Sequence, residues 1–104
     1  SAVRARAAAI VDAATARDPS KRYLVAMQQG SWGARGGFSD LLDAVTVHLH
    51  DHARDAVAIG DTDRAVRLAR AVEIVEDAKE TTLTNVNPSL VTADLVDRLA
   101  QSLR

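Results

Sequence analysis

Three histidines in one short stretch, His48, His50 and His52, are the residues best suited to chemistry in this sequence. His48 and His52 are four residues apart, which on a helix places both imidazoles on one face within reach of a single metal ion. A third ligand would have to come from Asp51 or Asp55, because the chain has no cysteine, no further histidine and no H-E-x-x-H pattern. We therefore expect a solvated helix face and no bound metal, and we keep a His48/His52 metal site as an alternative.

The other polar residues predict no active site. The serines fall at helix starts, in loops or near the chain end, where bonding to the backbone explains them. The carboxylates at 73–80 lie on the same predicted helix as Arg67, Arg70 and Lys79, which is typical of a solvated, salt-bridged helix surface. The glycine-rich segment 31–37 lacks the preceding strand and the following Lys-Ser/Thr of a phosphate-binding loop. We expect no enzyme, with no catalytic residue, no cofactor and no small-molecule substrate.

Trp32 lies in this glycine-rich segment and is a candidate interface residue, because isolated aromatic side chains on loops often anchor a partner. The alternative is that Trp32 folds back onto the end of the helical domain. Arg17, Lys21, Arg22 and Arg35 could form a basic patch near it, a combination that can bind nucleic acid. The net charge of -1 and the isoelectric point near 6.2 give no overall attraction to phosphate, so we expect no direct nucleic-acid partner.

The elements that position these residues are predicted to be helices throughout. Apolar residues recur with helical spacing, and glycine and proline occur mainly between the periodic stretches. The pattern predicts an all-α bundle of about five helices: 2–17, a short helix from Pro19 towards Gly30, 38–59, a helix from Asp61 to at least residue 78, and 88–103. In the second helix we expect Tyr23, Leu24 and Met27 to form the buried side.

The composition predicts a thin core within a single domain. Hydrophobic residues make up 47% of the 104 residues, but 20 of them are alanine, which removes little apolar area from water. The last helix has a broader apolar face than one neighbouring helix would need, so Leu95 and Leu99 are candidate interface residues. No segment predicts a membrane span, and the lack of cysteine fits a reducing cytoplasm. We expect one domain over 1–104, a cytoplasmic fragment of a larger chain.

One segment resembles a known family. Asn85-Val86-Asn87-Pro88-Ser89-Leu90, followed by the apolar helix with Leu95 and Leu99, resembles the C-terminal signature of bacterial DNA polymerase III clamp-loader subunits of the delta-prime type. In that family an N-x-N-P-x-L segment opens the last helix of the collar domain. The segment 38–43, which leads into the long central helix, is also similar. The resemblance is good at the C-terminal end and loose over the rest of the chain.

This resemblance implies a non-catalytic role in DNA replication. Clamp-loader collar domains associate side by side into a ring, which holds the ATPase modules in order while a sliding clamp is loaded onto primed DNA. The implied partners are the other subunits, gamma/tau and delta, and the ATP chemistry belongs to preceding domains. Asn85, Asn87, Pro88 and Leu90 correspond to structural motif positions. The gamma/tau collar shares the fold, so the delta-prime assignment depends mainly on residues 85–90.

A second interpretation stays open from the sequence. A ligand-binding or dimerisation domain of a transcriptional regulator would have the same size, the same Ala- and Arg-rich helices and the same lack of enzyme motifs. Such a domain is expected to contain an internal apolar cavity and a self-complementary two-helix interface.

Overall fold

The computed structural model describes residues 2–31, 37–84 and 87–104, and these residues are almost entirely helical. They form α1 (Ala2–Thr15), α2 (Ser20–Met27), a 3₁₀ turn (Gln28–Ser31), α3 (Gly37–Ala58), α4 (Thr62–Thr82) and α5 (Pro88–Leu103). Within these ranges there are five α-helices and no strand. The prediction of an all-α bundle of about five helices is confirmed.

The helices enclose one core. α3 and α4 pack side by side as a hairpin, α1 packs against α3, and α5 contacts α4, α2 and α1. The largest fully buried side chains come from four of the five helices: Ile10, Leu41, Leu42, Val45, Leu49, Val75, Thr92, Leu95, Val96 and Leu99. Buried alanines, among them Ala7, Ala56 and Ala71, lie in the same core. Alanine at these positions lets helix axes approach closely, so a core with few large side chains is still closed.

The turn between α3 and α4 follows directly from the Gly60-Asp61 sequence. The Asp61 N–H donates to the Ala56 carbonyl at 2.9 Å and the Gly60 N–H donates to the Val57 carbonyl at 3.0 Å, the hydrogen-bond pair of a Schellman motif. Gly60 has a φ of 80°, a left-handed conformation that glycine adopts without steric cost. Asp61 then caps α4 by accepting from the Arg64 N–H at 3.1 Å. The predicted hairpin and both its caps are confirmed.

The junction between α1 and α2 also follows the predicted chemistry, with a small shift in position. α1 ends at Thr15, two residues before the predicted end. The Asp18 carboxylate accepts from the Ser20 N–H at 3.0 Å and from the Ser20 hydroxyl at 2.8 Å. The backbone bond from Ser20, followed by the hydroxyl bond, lowers the pKa of Asp18. α2 does not end in a glycine cap, because the chain continues from Met27 into the 3₁₀ turn that contains Gly30.

Candidate functional site

The beginning of α5 contains the described part of the motif 85–90. The Asn87 side chain accepts from the Ser89 N–H at 2.8 Å, and Pro88 is the first residue of the helix, where its missing N–H leaves no hydrogen bond unmade. The predicted cap is therefore confirmed. Leu90, one turn into the helix, is 67% exposed. Asn85 lies outside the described residues.

Leu95 and Leu99 do not form an outer surface. Their exposed fractions are 1% and 0%, and both side chains belong to the central core. The apolar face of α5 is broad because the helix contacts α1, α2 and α4 of its own chain. The expectation that Leu95 and Leu99 are interface residues is thus wrong for the folded chain, since a partner cannot reach them without opening the core.

α2 presents the opposite face from the predicted one. Tyr23, Leu24 and Met27 are 67%, 56% and 59% exposed, whereas the residues that pack inward are Val25 and Ala26. The three exposed residues lie on one side of the helix, because Met27 is four residues after Tyr23 and three residues after Leu24. We call Tyr23, Leu24 and Met27 the outer face of α2. The prediction that this side is buried is wrong.

The inner face of α2 explains this orientation. Arg22, Val25, Ala26 and Gln29 follow helical spacing and turn towards the bundle, and the Arg22 guanidinium lies 3.6 Å from the Asp97 carboxylate on α5. The Gln29 side chain is buried and donates to the Val25 carbonyl at 3.0 Å. Because this side of the helix makes the contacts with the bundle, Tyr23, Leu24 and Met27 lie on the other side. The larger apolar groups are left on the surface.

The predicted basic patch is divided. Arg22 is paired with Asp97 across the α2–α5 contact, while Arg17 and Lys21 are exposed. Arg35 and Trp32 lie outside the described residues, so the candidate interface residue Trp32 is not located. Of the predicted basic patch, the described residues therefore show only Arg17 and Lys21 as exposed cations.

Two carboxylates of α4, Glu76 and Asp77, form ion pairs of the kind that the sequence predicts for this helix. Lys79 lies between Asp43 of α3 and Glu76 of its own helix, and Arg98 of α5 is 3.1 Å from Asp77. The hydrogen bond with Asp43 raises the pKa of Lys79. These pairs connect α4 to both neighbours at the surface.

The imidazole rings of His48 and His52 are in direct contact. Their Nε2 atoms are 3.0 Å apart, and the ring centroids are 4.4 Å apart with the planes at 63°. Both residues are half-buried, whereas His50 is exposed. Burial, then the neighbouring His52, lowers the pKa of His48, while Asp12 of α1 and Asp51 act in the opposite direction. A neutral imidazole at position 48 is therefore favoured at neutral pH.

Two surface clefts lie beside α2. One, of about 240 Å³, is lined by Arg6, Ala9, Val25, Gln28 and Gln29. The other, of about 290 Å³, lies where the end of α1 and the start of α2 meet the end of α5. Both fall below or at the lower end of the roughly 300 to 1,000 Å³ typical of small-molecule sites, and neither has the mostly apolar lining of such a site.

The comparisons with other proteins add no relative to this description. No protein-family model, no curated protein and no solved structure matches the chain. A search of the described helices for a membrane span also finds none that is long and apolar enough. What this chain does has to be argued from its own surface.

Proposed function

We propose that this chain is a non-catalytic subunit-assembly domain, which acts as the collar of a delta-prime-like clamp-loader subunit of DNA polymerase III. The outer face of α2 is the surface through which it contacts a neighbouring subunit, gamma/tau or delta. The observation that carries the proposal is the exposure of three large apolar side chains on one side of one short helix. On this proposal the chain acts in the cytoplasm, in the loading of sliding clamps onto primed DNA.

The composition of the outer face of α2 suits a protein contact. Tyrosine and methionine are enriched at the centre of protein interfaces, and tyrosine is among the residues that contribute most to binding. Each side chain here leaves more than half of its surface in water, although the same helix buries only Val25 and Ala26. A partner that covered this face would recover about 25 cal/mol for every Å² of apolar surface removed from water.

The closed core restricts where a partner can bind. Because the apolar face of α5 is used within the chain, assembly must use side chains that remain outside. Leu90 is an exposed apolar residue in the described part of the motif, 87–90. Asn87 and Pro88 are accounted for by helix capping, but a capping role does not explain a leucine that is 67% exposed. We therefore propose that Leu90 also contacts the partner, in addition to the outer face of α2.

The experiment is capture of this chain by separately purified gamma/tau and delta subunits of the same organism. Leu24→Glu places a charge in the proposed interface, and Val47→Glu places the same charge on α3. The two positions are matched, since Leu24 is 56% exposed and Val47 is 55% exposed. Both changes should leave the free energy of unfolding within about 0.5 kcal/mol, as is usual for surface substitutions.

We expect the unchanged chain to be captured and Leu24→Glu to weaken capture by more than tenfold, a loss of at least about 1.4 kcal/mol. Val47→Glu should change affinity by less than about twofold, which corresponds to roughly 0.4 kcal/mol. Equal effects of the two substitutions would remove the outer face of α2 from the proposal. A folded chain that binds neither subunit and forms a two-fold dimer would instead favour the regulator domain.

A further inference from the structure

The His48–His52 pair is a preformed pair of nitrogen ligands that the proposed assembly function does not use. The two Nε2 atoms face each other at 3.0 Å across one turn of α3, a helix held on both sides by α1 and α4. Each imidazole Nε2 is a nitrogen that metals use as a ligand, and the i, i+4 spacing places both rings on one face of a packed helix.

The two Nε2 atoms are at hydrogen-bonding distance, so one ring donates its Nε2 proton and the other accepts it. A metal ion that takes the place of this proton would be bound by both lone pairs, with metal–nitrogen bonds of about 2.0 to 2.1 Å. Imidazole suits Cu²⁺, which binds a given nitrogen site more tightly than Ni²⁺ does. We propose that His48 and His52 together chelate one divalent metal ion, with Cu²⁺ preferred over Ni²⁺.

The surroundings of the pair include one carboxylate that favours a cation, because Asp12 of α1 lies near His48. Asp51 of the same helix is also near His48, although its carboxylate is paired with Arg54. On binding, the ring that donates the Nε2–Nε2 hydrogen bond carries its proton on Nδ1 instead, so that both Nε2 lone pairs reach the metal.

The site is open on the side away from the two histidines. Within the part of the chain that the structure describes, no cluster of three or more His, Cys, Asp or Glu residues is arranged to hold a metal. Water or an external ligand would therefore fill the remaining positions. Such a site binds a metal reversibly, and its affinity for Cu²⁺ should exceed its affinity for Ni²⁺ and for Zn²⁺.

The test is titration of the untagged chain with CuCl₂, NiCl₂ and ZnCl₂ in a non-coordinating buffer, followed by electron paramagnetic resonance of the copper form. We expect one Cu²⁺ per chain with hyperfine coupling from two imidazole nitrogens. His48→Gln or His52→Gln should each weaken copper binding by more than about 100-fold, the upper range for loss of a mere supporting residue. His50→Gln, on the same helix but exposed, should leave binding within about twofold.

Three results would overturn the proposal. They are the absence of copper binding by the unchanged chain, copper binding that His50→Gln weakens as much as His48→Gln does, and a zinc affinity above that of copper. Far-UV circular dichroism of each variant shows whether the helices remain. If His48→Gln unfolds the chain, the nitrogen coupling in the unchanged chain decides, because fewer than two coupled imidazoles contradicts the chelate.

Discussion

Leu99→Ala is predicted to destabilise this chain far more than Leu90→Ala, although both substitutions remove the same atoms from the same helix. Leu99 is 0% exposed and Leu90 is 67% exposed. α5 contacts three other helices, so the space that Leu99 leaves is surrounded by side chains of the core. The comparison tests whether the apolar face of α5 is used inside the domain.

The size of the effect follows from burial. Leucine-to-alanine changes in closed cores cost about 2.7 to 5.0 kcal/mol, because transfer free energy is lost and a cavity is left behind. A chain of 104 residues has a total stability of about 5 to 16 kcal/mol, so Leu99→Ala removes a large share of it. Leu90→Ala should change stability by less than about 0.5 kcal/mol, since alanine also favours the helix slightly.

The assay is urea unfolding followed by far-UV circular dichroism, with the slope of the transition compared among the three proteins. An unchanged slope with a lower midpoint for Leu99→Ala shows lost stability rather than a changed denatured state. In thermal unfolding the midpoint should fall by about 10 °C or more, at roughly 4 to 8 °C per kcal/mol. A cost below about 1 kcal/mol for Leu99→Ala, or equal costs for both variants, would refute the assignment of α5 to the core.

Three further outcomes follow from single residues. Gly60→Ala should cost about 1 to 2 kcal/mol in urea unfolding, because its φ of 80° is unfavourable for alanine while no atom lies within 4 Å of an added Cβ; an unchanged midpoint would contradict this strain. Thr92→Val should stabilise the chain by about 1 kcal/mol, because the Thr92 hydroxyl is buried without a hydrogen-bond partner. Thr15→Val is the control and should bring no gain in stability, because it removes a hydrogen bond from the Thr15 hydroxyl to the Val11 carbonyl. The free energy of unfolding should decrease as the pH falls from 7 through the ordinary imidazole range. The reason is that the lowered pKa of His48 makes the folded chain bind a proton less readily than the unfolded chain. His48→Gln should make the free energy of unfolding less dependent on pH in this range.

The helix boundaries at Gly60-Asp61 and Asn87-Pro88 could be predicted from the sequence because local chemistry determines them. Gly60-Asp61 and Asn87-Pro88 contain their own caps, and the structure shows the predicted hydrogen bonds at both. Each of these bonds joins residues close together in the chain, so no knowledge of tertiary packing is needed. The same holds for Asp18 and Ser20 at the start of α2.

The orientation of α2 could not be predicted, because both of its faces carry apolar residues. In a helix of eight residues, Val25 and Ala26 on one side compete with Leu24 and Met27 on the other, and side-chain size favours the wrong side. The outcome depends on the packing of α2 against α5 and on the Arg22–Asp97 pair, which join residues far apart in the chain. A local sequence pattern contains no information on such contacts.

The breadth of the apolar face on α5 was a correct observation with an incorrect explanation. The periodicity of apolar residues shows how wide the buried face of a helix is. It does not show whether the helices that pack on this face belong to the same chain. Here α1, α2 and α4 supply them, and Leu95 is buried as a result. The i, i+4 spacing of His48 and His52, by contrast, is visible in the sequence. The structure adds that their two Nε2 atoms lie 3.0 Å apart.

The proposed contact between the outer face of α2 and a neighbouring clamp-loader subunit can be tested residue by residue by NMR on the isotope-labelled chain. Backbone amide resonances are recorded before and after addition of unlabelled gamma/tau or delta subunit. We expect chemical-shift changes of the backbone amides to be concentrated at Tyr23, Leu24 and Met27. Smaller changes should occur at Leu90, and none at Val47 on α3. Changes concentrated on the α3–α4 hairpin, or no change with either subunit, would contradict it.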